Sequence, residues 1–108
     1  MASHVMEYII DFLLGPTQTA RTLRENFVFK IVPMLNPDGV IIGNYRCNLS
    51  SVDLNRQWLE PSKKAHPTIY FTKQLIRSTK QERELVFCLD IHGHNRKKNA
   101  FLCKWVES

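Results

Sequence analysis

Between Ser3 and Leu14, the residues Val5, Met6, Ile9, Ile10, Leu13 and Leu14 recur at three- and four-residue offsets. That spacing gathers them on one face of a helix, which Gly15-Pro16 ends. A shorter helical stretch is expected over Thr19 to Glu25. The period then changes. FVFKIVP (27–33) is a β-branched and aromatic run too short for a helix, set between Asn26 and Pro33, and it predicts a buried strand. NPDG (36–39) predicts a turn in which Pro37 presets φ, Asp38 bonds its own backbone and Gly39 takes positive φ. From there to about Pro61 the pattern is irregular and rich in polar side chains. His66-Pro67 opens a helix expected through Lys80, with proline acceptable in the first turn and Ile69, Thr72, Leu75 and Ile76 on one side. ELVFCLDI (84–91) reads as a second buried strand and AFLCKWV (100–106) as a third. Helix, strand, helix, strand predicts the α/β class, with a mostly parallel sheet flanked by helices. The stretch from Pro33 to Ser62 is longer than a plain connection needs, and long ordered loops are usually functional.

Composition narrows the setting. At 108 residues, 44% hydrophobic and 23% charged, the chain matches one globular unit with one modest core. Cys47, Cys88 and Cys103 are odd in number, widely spaced and without a C-x-x-C pair, so neither a disulfide framework nor a cysteine zinc knuckle is indicated. A reducing, cytoplasmic setting is the expectation. The apolar N-terminal stretch has no basic lead-in and is interrupted by Glu7 and Asp11, which excludes both a signal peptide and a membrane span. Because that helix begins almost at Met1, the chain is expected to start inside a larger domain. A formal net charge of +5 favours acidic partners. Nucleic acid rests on that charge alone, because Phe27, Phe29 and Phe87 fall in predicted buried strands and form no stacking platform.

In an open α/β sheet, ligands sit beyond the carboxyl ends of the strands. Two polar clusters, 36–58 and 90–99, follow such ends and are expected to face a common crevice. His92 and His94 lie in the second, and a neutral histidine at a strand end is a good zinc ligand. A catalytic zinc needs three protein ligands and an open position, so this pair taken alone is a weak metal signal against a surface or hydrogen-bonded role. The first cluster contributes Arg46, Asn55 and Arg56. A guanidinium fork beside an amide suits a free carboxylate; the plainer alternative is a structural contact of Arg56 with Asp53 or with a neighbouring loop carbonyl.

The combination FKIVPMLNPDGVIIGNYRCNLSSVDLNRQW (29–58) followed by DIHGHNRKKN (90–99) resembles the cytosolic carboxypeptidases. These form a branch of the carboxypeptidase A superfamily that trims glutamates from protein tails, notably those of tubulin. The likeness runs from about Ser3 to Leu102, and NPDG, GNYRC, DLNR and DxHGH in this order make it specific. It implies the zinc-carboxypeptidase fold. It also implies that His92 matches the last of three zinc ligands, while His94 matches none. Arg46 matches the residue that stabilises the oxyanion, where a fixed positive charge meets developing negative charge. Asn55 and Arg56 match the pair that binds the substrate's terminal carboxylate. Asp53 matches the carboxylate that orients a zinc-binding histidine.

The departures are as informative. In the family an H-x-x-E motif, which supplies the other two zinc ligands, precedes a helix resembling SHVMEYIIDFLLG (3–15). The general-base glutamate and a substrate-contacting tyrosine lie downstream of the third ligand. Glu60, Glu82, Glu84 and Glu107 match no such position. The resemblance therefore implies that residues 1–108 are a partial catalytic domain, truncated at both ends, holding one Zn2+ ligand and inactive by itself. Arg46, Arg56 and the run Arg96-Lys97-Lys98 would line a cationic crevice suited to acidic C-terminal tails, tubulin's among them; alternatively the lysines form a solvated loop. The competing function is a non-catalytic binding module for acidic tails. No nucleic-acid or membrane partner is expected, and no feature sets the oligomeric state.

Overall fold

The computed structural model describes residues 2–44, 46–94 and 99–102. Their contacts gather them into two units, one of residues 1–26 and 89–108 and the other of residues 27–88.

In the first unit, helix α1 (Ala2–Leu14) packs on helix α2 (Gln18–Asn26). Leu13 and Ala20 are buried between their surroundings, and the small side chain of Ala20, fully covered, permits close approach. The connection is built by local hydrogen bonding. The Gly15 amide donates to the Phe12 carbonyl at 3.1 Å, closing the end of α1. Thr17 Oγ1 accepts from the Ala20 amide at 3.2 Å, satisfying a donor in the first turn of α2. The Arg24 guanidinium reaches back to the Leu13 carbonyl and to the Gly15 carbonyl, the latter at 3.1 Å, so acceptors left over at the end of α1 are met from α2.

The second unit contains helix α3 (Pro37–Ile42), a 3-10 turn (Leu54–Arg56) and helix α4 (Pro67–Glu82). Leu54, Ile69 and Thr79 are its buried side chains, with Ile69 only 2% exposed. Proline stands in the first turn of α4 after His66, as its lack of a needed amide permits. Lys30 Nζ donates to Thr79 Oγ1 at 3.0 Å and lies 3.9 Å from a Glu82 carboxylate oxygen, tying the segment after α2 to the last turns of α4.

Two sequence expectations change. NPDG is the opening of α3 and not a free-standing turn: Asn36 caps the helix by accepting from the Gly39 amide at 3.0 Å, Pro37 sits in the first turn and Asp38 follows. The same residue types serve both structures, because a cap asparagine, a preset φ and an early carboxylate also suit a helix start. Positive φ falls instead on Gly43, at 85°, where the chain leaves α3.

The expected sheet is the second change. Among the described residues none forms a strand, and the β-type pairing is a single antiparallel bridge between Cys47 and Asp53. Segments 27–33 and 84–91 have no regular structure, and residues 103–106 lie outside the described residues. A strand exists only when a neighbour satisfies its amides and carbonyls, so a β-type composition does not by itself make one. Phe27, Phe29 and Phe87 are accordingly 44%, 45% and 72% exposed, where burial was expected. Burial thus gives no reason to set nucleic acid aside, and net charge remains its one support. No helix among the described residues is long and apolar enough to cross a membrane.

Candidate functional site

The polar stretch after α3 is organised by asparagine and aspartate side chains that take the place of a sheet. Asn36 Nδ2 donates to the Cys47 carbonyl at 3.2 Å. Asn44 Oδ1 accepts from the amides of Arg46 and Cys47, each at 3.0 Å. Asn48 Oδ1 accepts from Ser50 and Val52, while its Nδ2 donates to the Ala65 carbonyl at 3.1 Å. Asp38 Oδ2 accepts from the Leu49 amide at 3.2 Å, joining this loop to the first turn of α3. Short polar side chains that bond nearby backbone are the general reason such residues favour loops. Here they fix the course of the chain from 46 to 52.

Asp53 is the pivot of the site. Its Oδ1 accepts from the Asn55 amide at 3.0 Å and so caps the 3-10 turn, while its Oδ2 meets the Arg46 guanidinium at 3.3 Å. Sequence reasoning offered Asp53 as an ion-pair partner for Arg56, but the pair forms with Arg46. Arg46 is 42% and Asp53 23% exposed at the side chain, so solvent screens the pair and its net stabilisation is about 0.5 kcal/mol. Its main effect is geometric, since it holds one guanidinium against the turn that carries Asn55 and Arg56.

Asn55 is half-buried and accepts at Oδ1 from the Trp58 indole at 3.2 Å. Lys73 of α4 donates to the Trp58 carbonyl at 2.7 Å and to the Leu59 carbonyl, pinning the chain beyond the 3-10 turn. Arg56 is exposed, and among the described residues no ion pair or hydrogen bond engages its side chain. One stretch of chain thus carries Arg46, Asp53, Asn55 and Arg56, with Asp53 in contact with Arg46 and the Asn55 amide and with Arg56 exposed beside them in sequence. It presents a guanidinium and an amide, a donor set matched to a carboxylate. Trp58 and Lys73 escaped sequence reasoning; the three-residue spacing from Asn55 to Trp58 is the one local signal that could have found the first.

His92 belongs to the other unit. It is exposed, and its Nδ1 lies 2.9 Å from the Gly93 carbonyl. A carbonyl only accepts, so in a hydrogen bond at this contact Nδ1 is the donor. His94 is exposed and lies edge-to-face against Phe101 with ring centroids 5.2 Å apart. Among the described residues no three His, Cys, Asp or Glu side chains come together as a metal-binding group. The residues present therefore do not by themselves fit a zinc ion: His92 offers one donor where three are needed. Arg96, Lys97 and Lys98, proposed to extend the cationic crevice, lie outside the described residues, as does Tyr45 of the NYRC motif.

Cytosolic carboxypeptidase 1 of Xenopus laevis is 57% identical over 103 residues, covering 94% of this chain and 8% of that protein. Cytosolic carboxypeptidase 4 of Homo sapiens is also 57% identical over 103 residues, covering 94% of this chain and 9% of its own length. Cytosolic carboxypeptidase 3 of Mus musculus is 46% identical over 101 residues, covering 94% and 10%. The chain spans a tenth or less of the curated relatives it matches. A family profile described as zinc carboxypeptidase matches residues 1–101, and the chain belongs to that family.

Proposed function

We propose that this chain is part of the catalytic domain of a zinc metallocarboxypeptidase that removes C-terminal glutamates from acidic protein tails in the cytoplasm, tubulin's being the leading candidate. The observation that carries the reading is the loop geometry. Asp53 meets Arg46, the 3-10 turn carries Asn55 and Arg56 in succession, and Arg56 is exposed. Asn55 and Arg56 grip the terminal carboxylate of the substrate, which restricts cleavage to the chain end. Arg46 is the positive charge for the oxyanion, and Asp53 holds it in place; in the complete site Asp53 also orients a zinc-binding histidine. His92 supplies one zinc ligand, with the remaining ligands and the general base coming from outside the residues described. Segments 27–33 and 84–91 join the mostly parallel sheet of the family fold when the rest of the domain covers them. Their present exposure, with Val28 at 62% and Val86 at 65%, supports that reading.

The test is glutamate release by the domain that carries this segment. Arg56→Ala is expected to remove most of the turnover, and a chelator all of it. Normal turnover in Arg56→Ala would sink the carboxylate grip. A second reading, a carboxylate-binding module without hydrolysis, is favoured for this segment alone by the lack of a three-ligand group among the described residues. It predicts salt-sensitive capture of a polyglutamate peptide that a chelator leaves unchanged.

A further inference from the structure

The indole of Trp58 decides which way the Asn55 amide faces. An indole N–H only donates, so the Asn55 atom 3.2 Å from Trp58 Nε1 must be the oxygen, and the amide nitrogen takes the opposite side. A carboxylate only accepts and needs that nitrogen. We propose that Trp58 is a positioning residue for anion recognition, locking Asn55 with its NH2 turned to the ligand, and that Lys73 holds Trp58 in register from α4. The inference rests on the reading of Asn55 and Arg56 as the carboxylate grip, and it adds a specificity element to that site.

Both contacts support the assignment independently of the ligand. Asn55 is anchored at its backbone by Asp53, so its main chain cannot swing away, and rotation of the amide is the freedom that Trp58 removes. Lys73 spans from α4 to the carbonyls of Trp58 and Leu59, which fixes the indole's own backbone. Without the indole donor, the amide would populate both orientations. One of them sets a carbonyl oxygen against the ligand's carboxylate, which repels it.

The experiment compares binding of a glutamate-ending peptide as the free acid and as the C-terminal amide, so the read-out is a preference ratio and not overall affinity. The variants are Trp58→Phe, replacement of the Trp58 indole by benzothiophene, which keeps the ring volume and deletes the N–H, and Asn55→Ala. The expected result is a free-acid preference in the wild-type chain, loss of that preference in Asn55→Ala, and a decrease of about fivefold in both Trp58 variants. Lys73→Met should lower the ratio as well, with Lys73→Arg closer to wild type. If the benzothiophene form keeps the wild-type ratio while Asn55→Ala loses it, the positioning role is wrong and the grip stands. A wild-type ratio in Asn55→Ala would overturn the grip and the positioning role together.

Discussion

Two glycines a few residues apart answer to different constraints, and substitution separates them. A Cβ on Gly39 would lie 2.3 Å from Asn36 Nδ2 and 2.4 Å from the Asn44 carbonyl oxygen, inside the asparagine network that shapes the site loop. A Cβ on Gly43 meets nothing within 4 Å, but its φ of +85° strains any other residue. Gly39→Ala is therefore expected to cost about 2–3 kcal/mol, as overpacking does, and Gly43→Ala about 1 kcal/mol; equal losses in urea unfolding would contradict the assignment. Asp53 permits a similar separation. Asn can cap but carries no charge, so Asp53→Asn should lose the screened Arg46 pair alone, whereas Asp53→Ala should expose the Asn55 amide to faster hydrogen exchange by losing a cap worth about 1 kcal/mol. Individual candidate residues could be picked out of the sequence because their motifs are contiguous. Their partners could not: Arg46 and Arg56 stand seven residues before and three after Asp53, and only the folded loop selects Arg46.

The helices were legible for a physical reason. Their hydrogen bonds are local, so the three- and four-residue recurrence that predicts α1 and α4 is also what builds them. The 3-10 turn and α3 were missed because Asn-Pro-Asp-Gly and Asp-Leu-Asn-Arg carry cap signals that suit a turn or a one-turn helix alike. Strands are different, since pairing is made between segments distant in sequence, and composition states only the capacity for it. In α4, Ile69 is the most deeply buried of the side chains described in the second unit. Ile69→Ala is expected to cost about 2 kcal/mol or more and to lower the helical circular-dichroism signal; an unchanged unfolding midpoint would mean that Ile69 contributes no packing despite its 2% exposure.

At the scale of the whole molecule, the donors for a carboxylate and the donors for a metal are unevenly supplied. The donors Arg46, Asn55 and Arg56 sit in the 27–88 unit, while His92, in the other unit, is the one residue proposed as a zinc ligand. Zinc retained by the purified chain after desalting is accordingly expected to be well below one per molecule. Near-stoichiometric zinc that disappears in His92→Ala would show that further ligands complete the site. With a net charge of +5, binding of polyglutamate should weaken as salt rises, but that dependence belongs to any basic surface and does not identify the grip. Recognition of the chain end does. The decisive measurement is calorimetric titration of the chain with a glutamate-ending peptide as free acid and as C-terminal amide, before and after replacing Asn55 and Arg56 together by alanine. The expected result is a free-acid preference of about tenfold or more, the scale of hydrogen bonds to a charged group, falling to none in the double variant. Equal affinity for acid and amide in the wild-type chain, or a preference that survives the double substitution, would contradict the carboxylate grip.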